Sequence, residues 1–249
     1  MSATHVAVIL LSLLSCLTTC LGVAVALALS ESTRAIAAGI GFAVGLMVLI
    51  ALVELLPEAV ADTDPAIALA TATLGAGLVW SAHLVIPHFH LFEETGMTDR
   101  VLGRSASLVA LGMILHDVPE GFAMANAYIA SPSLGVLVAV AIALHNLPEE
   151  FAIAVPAVAS GSKRLLLGAA LLSALAEPLG AIIGLAAVEI APSLNARFLA
   201  FAAGAMLFVS IHELIPLARR YRHTGMFSLG MIVSVMVWGL LAQMTGRVG

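Results

Sequence analysis

The apolar residues of this chain come in runs of about 20, separated by short polar breaks, and the pattern recurs eight times. At 1.5 Å per residue such a run is as long as the bilayer hydrocarbon is thick, roughly 30 Å. A backbone crossing lipid must satisfy its hydrogen bonds internally, so runs of this length mean helices. The predicted spans are 6–29, 35–57, 66–86, 105–130, 133–159, 165–188, 197–218 and 226–245. The expected fold class is therefore an all-α membrane protein, a bundle of eight transmembrane helices forming one domain over residues 1–249. The first run, roughly Val6 to Leu29, is too long for a signal-peptide core and lacks both a basic leader and a clear cleavage site; it reads as a retained helix.

Charge is scarce, and its distribution carries information. Only 10% of the residues are charged, against about 25% in soluble domains. No basic cluster with interleaved aromatics is present, which excludes nucleic acid as an expected partner and leaves the lipid bilayer. Placing the N-terminus outside puts Arg34, Arg100, Arg104, Lys163, Arg164, Arg219, Arg220 and Arg222 in cytoplasmic loops. Only Arg197 and Arg247 then lie outside. The positive-inside rule thus predicts that both termini are extracytoplasmic, in a cell (inner) membrane. Cys16 and Cys20 lie four apart within the first run and read as packing residues.

A repeat is visible at a constant offset of 159 residues. Phe42-Ala43-Val44-Gly45-Leu46-Met47 precedes Glu54-Leu55-Leu56-Pro57, and Phe201-Ala202-Ala203-Gly204-Ala205-Met206 precedes Glu213-Leu214-Ile215-Pro216. These are the second and seventh spans, which cross in opposite directions. An inverted repeat, spans 1–3 against 6–8, would flank a central pair of spans 4 and 5, an arrangement typical of transporters with a mid-membrane site.

That central pair holds the chemistry. Span four contains His116-Asp117-Val118-Pro119-Glu120-Gly121, and span five contains His145-Asn146-Leu147-Pro148-Glu149-Glu150. A charge at mid-membrane costs at least about 2.5–3.5 kcal/mol, so two such clusters need a compensating partner. A cation is the simplest. His and Glu four residues apart share one helix face. Two facing helices then offer two imidazoles and two carboxylates, a zinc-like donor set. Asp117 and Asn146 are turned by about 100° and can serve a neighbouring position, with Glu120 and Glu149 bridging. Pro119 and Pro148 remove backbone hydrogen bonds to Leu115 and Leu144, which is tolerated in a membrane where the backbone lines a site. Glu177, in Ala176-Glu177-Pro178, is a third buried acid beside a proline. With Asp117, Glu120 and Glu149 it makes four negative charges, which two divalent ions would neutralise. Met47 is a weaker candidate, paired by the repeat with Met206. Glu54, Glu58, His83, His212 and Glu213 lie near span ends and could line an entrance or exit, and His88 and His90 could collect metal.

At these residues the chain resembles the ZIP (Zrt/Irt-like) family of divalent metal transporters, especially its bacterial zinc-uptake branch. The resemblance runs through nearly the whole chain and is carried by the two His-x-x-Pro-Glu helices and by Ala-Glu-Pro-Leu-Gly in span six. It implies uptake toward the cytoplasm, with a transport domain sliding against a scaffold. It implies one metal position with His116, Glu120, His145, Glu149 and Met47, and a second with Asp117, Asn146, Glu120, Glu149 and Glu177. Zn2+ is the implied substrate, with Fe2+, Mn2+, Co2+ and Cd2+ also compatible with imidazole and carboxylate. No organic cofactor is expected, and a homodimer is open as an assembly. The chain departs from the family at Glu150, where the second motif has an acid in place of the usual glycine. The competing reading is an intramembrane metal-dependent hydrolase, but the zinc-peptidase pattern His-Glu-x-x-His is absent from the sequence. A metal sensor would need an output domain, and the sequence contains none outside the spans.

Overall fold

A computed structural model describes residues 2–29, 32–85, 116–159 and 163–247. The loop from Pro87 to Arg104, with His88, His90, Glu93, Glu94 and Asp99, and the first part of the predicted fourth span lie outside the described residues.

The described residues form helices and no strands. They are α1 (Ala3–Leu29), α2 (Thr33–Asp62), α3 (Pro65–Val85), α4 (116–130), α5 (Pro132–Ala159), α6 (Lys163–Ile190), α7 (Pro192–Arg220) and α8 (Thr224–Met244). Seven of these eight are long and apolar enough to cross a bilayer; only 15 residues of α4 are described. The surface is inverted relative to a water-soluble bundle. Leu10, Leu17 and Leu21 of α1, Leu167, Leu171 and Leu179 of α6, and Ile232, Val235 and Met236 of α8 are exposed, whereas His116, Glu120, His145, Glu149 and Glu177 are buried. A chain that puts its leucines outward and its carboxylates inward is built for lipid. It is a multi-pass membrane protein.

Small residues let the helices close up. Gly45 of α2 lies where a Cβ would strike Ser234 of α8, and Gly204 of α7 lies where a Cβ would strike the backbone of Ala72 in α3. A Cβ at Gly45 would also meet Met231 at 3.3 Å. Gly45 and Gly204 are 159 residues apart, and so are Ala72 and Met231. The α2/α8 and α3/α7 contacts are therefore built alike. The backbone repeats an irregularity as well. The residues before Pro57 and Pro216 wind into π-helix, Ile50–Leu55 in α2 and Ser210–Leu214 in α7. A proline cannot donate its hydrogen bond, and the wider turn absorbs the mismatch. The helix runs on through Pro119, Pro148 and Pro178.

A second repeat lies in α1 and α6. Leu13-Leu14-Ser15-x-Leu17-x-x-x-Leu21-Gly22 matches Leu171-Leu172-Ser173-x-Leu175-x-x-x-Leu179-Gly180 at an offset of 158. Gly180 packs against the backbone of Val118 in α4, and Gly22 against that of Leu147 in α5. Val118 and Leu147 hold the same place in the two His-x-x-Pro-Glu segments, so α1 holds α5 much as α6 holds α4. Helix ends agree with alternating passes. Thr33 and His223 meet at 3.0 Å at one end of α2 and α8, and Glu58 and Arg247 at 2.9 Å at the other.

Candidate metal centre

The centre lies where α4 and α5 face each other, with α1 and α6 on either side. His116, Asp117, Glu120, His145, Asn146, Glu149 and Glu177 are all at most 5% exposed. Nitrogen and oxygen atoms of His116, Glu120 and Glu149 all lie within 4.8 Å of one another. His116 Nε2 contacts Glu149 Oε1 across the two helices. His145 Nε2 returns the arrangement, 3.1 Å from Glu120 Oε1 and 3.5 Å from Glu149 Oε2. Each histidine thus faces the glutamate of the opposite helix, which is what the four-residue spacing on two facing helices requires. His145 Nδ1 is 3.0 Å from the Ala141 carbonyl, an orientation that leaves Nε2 for the centre.

Asp117 and Asn146 turn away as helical phase demands. Asp117 Oδ1 remains 3.4 Å from His116 Nε2, while Oδ2 accepts the Ser173 hydroxyl at 2.8 Å. Asn146 Nδ2 donates to Glu177 Oε1. Ser15 of α1 is buried alongside Glu177. Met47 is fully buried in α2, and its sulfur lies 3.6 Å from the Ser210 hydroxyl of α7, which donates to the Met206 carbonyl at 2.9 Å. The structure therefore gathers seven of the eight sequence-derived candidates at one place, and finds the eighth, Met47, in contact with α7.

Several buried oxygens of this group have no hydrogen-bond partner among the described residues: Glu120 Oε2, Asn146 Oδ1 and Glu177 Oε2. An unpaired buried acceptor costs about 1–3 kcal/mol, more when charged, and a divalent cation satisfies several at once. No Lys or Arg is among the buried polar side chains of the described residues.

The family model described as ZIP Zinc transporter matches residues 94–244 of the chain. The chain belongs to the ZIP zinc transporter family. It is also similar to a protein named zinc transporter ZupT from Chlorobium phaeovibrioides, with 34% identity covering 93% of this chain and 95% of that protein. Similar proteins of the same name occur in Shigella flexneri, at 33% identity, and in Escherichia coli O127:H6, at 34%; each covers 88% of this chain and 89% of the relative. Proteins of the ZIP family are transporters rather than enzymes, which removes the hydrolase reading.

Sequence reasoning missed three contributors. Ser173 holds Asp117 and Ser15 lies alongside Glu177; their signal is the serine shared by the α1 and α6 repeat. Gly22 clears space for the side chain of Glu150. At the C-terminal end of α2, Glu54 and Glu58 are less open than an entrance would suggest. Arg247 Nε lies 3.2 Å from Glu54 Oε2, and Trp238 Nε1 donates to Glu54 Oε1 at 3.0 Å. Glu54, Trp238 and Arg247 line a cavity of about 380 Å³ with Val53, Ser133 and Gly246. Of the other end-of-span residues, the side chain of His83 lies outside the described residues, and His212 stacks on Phe208 with ring centroids 4.8 Å apart.

Proposed function

We propose that this ZIP-family protein carries zinc into the cytoplasm through the centre between α4 and α5. The observation that carries the reading is the buried meeting of His116, Glu120 and Glu149 within 4.8 Å. Neutral imidazole and carboxylate are the usual zinc donors. The relatives, named as zinc transporters, support the same substrate.

The geometry is consistent with two metal positions. The first uses His116, Glu120, His145 and Glu149, with Met47 as a further donor from α2. The second uses Asp117, Asn146 and Glu177, with Glu120 and Glu149 shared between the two. Two divalent ions would neutralise Asp117, Glu120, Glu149 and Glu177, which is why a binuclear centre suits the charge. The matched glycine contacts, the paired π-segments and the α1/α6 repeat support an eight-helix arrangement in which helices 1–3 and 6–8 are inverted copies around α4 and α5. An inner-membrane location with both termini outside remains our reading of the Lys and Arg distribution. The protein would work as a single domain, and the α2/α8 and α3/α7 pairs would form the frame against which α4 and α5 move.

The direct test is uptake. Purified protein in liposomes should release labelled zinc into the lumen down its gradient, and Glu120→Ala or Glu149→Ala should stop it at equal protein abundance. Normal flux in both variants would remove the centre from the pathway.

A further inference from the structure

Glu150 and Ser173 stand outside the zinc set just described, yet they border it. Glu150 is 3% exposed. The Ser173 hydroxyl of α6 lies 2.8 Å from Asp117 Oδ2 and 3.1 Å from Glu150 Oε1. A hydroxyl has a single hydrogen, so it can donate to only one of these two carboxylates. The other carboxylate is left facing an oxygen lone pair. Glu150 Oε2 has no hydrogen-bond partner among the described residues. Two buried carboxylates turned toward one hydroxyl are satisfied either by a shared proton or by a cation close by.

The charge count points to the cation. Two divalent ions match Asp117, Glu120, Glu149 and Glu177, and Glu150 is a fifth acid. The fold also makes room for it. A Cβ at Gly22 of α1 would lie 2.8 Å from Glu150 Cγ, so α1 is notched where this side chain stands. Asp117 is shaped to link the two areas, with Oδ1 toward His116 and Oδ2 toward Ser173.

The donors around this notch differ from those of the first metal position and, like those of the second, include no imidazole. Asp117, Glu150 and Ser173 offer oxygen alone, and no imidazole. Imidazole suits zinc, whereas carboxylate, hydroxyl and water suit harder ions such as manganese. We propose that Asp117, Glu150 and Ser173 form an oxygen-only cation position on the α1 side of the centre, suited to a hard divalent ion such as Mn2+. Glu150 then sets ion preference: it adds a ligand for hard ions without adding one for zinc. The position deepens the transport reading and rests on it for the role of Asp117, but its occupancy can be measured without flux.

The experiment uses the full chain, purified and held in lipid nanodiscs. Mn2+ binding is followed by electron paramagnetic resonance and Zn2+ binding by equilibrium dialysis. The unmodified protein should bind Mn2+. Glu150→Gln should weaken Mn2+ at least about tenfold, the scale of losing a metal-site group, while Zn2+ changes less than about twofold. Glu150→Gly should behave like Glu150→Gln, and its retained Zn2+ binding reports that it has folded. Three results would overturn the proposal: no Mn2+ binding by the unmodified protein, Mn2+ binding unchanged in Glu150→Gln, or parallel loss of Zn2+ and Mn2+. The second would mean that Glu150 is a neutral acid hydrogen-bonded to Ser173, which glutamine mimics. His116→Ala with His145→Ala separates the two claims. It should lose Zn2+ and keep Mn2+; Zn2+ retained there would sink the zinc set and leave the oxygen-only position standing.

Discussion

The segments 116–121 and 145–150 are two versions of one device. Both place a histidine and a glutamate on one helix face, and each histidine contacts the glutamate of the other helix. They diverge beside that shared face. The first copy has Asp117 and Gly121; the second has Asn146 and Glu150. Gly121 is pressed against α6, where a Cβ would collide with the Glu177 carbonyl. Glu150 instead meets Gly22 on α1, so the glycine has changed sides of the contact. The lesson is that the ligand face is held in common, while the outer faces trade close packing for an added charge.

The strongest way to break the comparison is to remove the shared face. Glu120→Ala and Glu149→Ala should each reduce zinc uptake to background, because removing one member of a buried charged set costs about 3–5 kcal/mol, on the order of 10²–10⁴-fold. A large effect from only one of them, measured in liposomes at equal protein amounts, would mean that the two copies are not equivalent.

The next test sets the shared face against the divergent one. His116→Ala with His145→Ala strips both nitrogens from the first position. Uptake and bound zinc should fall about a hundredfold, at the upper end for lost metal-site groups. Asp117→Ala should cost about tenfold and change selectivity, since two His and two Glu remain at the first position. If Asp117→Ala is as inactive and metal-free as the double variant, the two positions are one.

Packing gives a smaller effect. Gly121→Ala forces a methyl onto the α6 backbone and should lower stability by about 1–3 kcal/mol, read as a drop in thermal midpoint. Gly22→Ala strikes both a side chain and the Leu147 carbonyl, so Glu150→Gly should restore part of its loss. Full independence of the two changes would contradict the contact between α1 and Glu150.

The mildest perturbation is pH. Histidine must be neutral to bind metal, so protons compete with zinc. Apparent zinc affinity should decline as pH falls from about 7.5 to about 5.5, through the ordinary histidine value near 6.5. The decline should be shallower for His116→Ala with His145→Ala. A flat profile in the unmodified protein would take the histidines out of the ligand set.

The proposed zinc set is legible in the sequence because depth in an apolar run makes every charge conspicuous. His116, Glu120, His145 and Glu149 stand out for that reason, and helical phase separates Asp117 and Asn146 from them. Ser15, Ser173 and Gly22 are not legible, because serine and glycine are ordinary in membrane helices and α1 carries no charge within its run. The repeat they belong to is written mostly in leucine, which looks like composition until the two helices are seen gripping matching residues. Met47 shows the reverse difficulty: repeat position marks it, but its sulfur in this structure meets Ser210.

By itself the sequence determined the membrane, the helices and the face on which the His and Glu pairs lie, because a helix in lipid has one satisfying backbone geometry and a period of 3.6 residues. Tertiary structure alone decided the rest. Which helix stands behind each copy, which glycine yields at each contact, and whether Glu150 meets another acid across Ser173 all depend on the approach of helices far apart in the chain. Helical periodicity sets the direction of a side chain on its own helix, but not what stands opposite it.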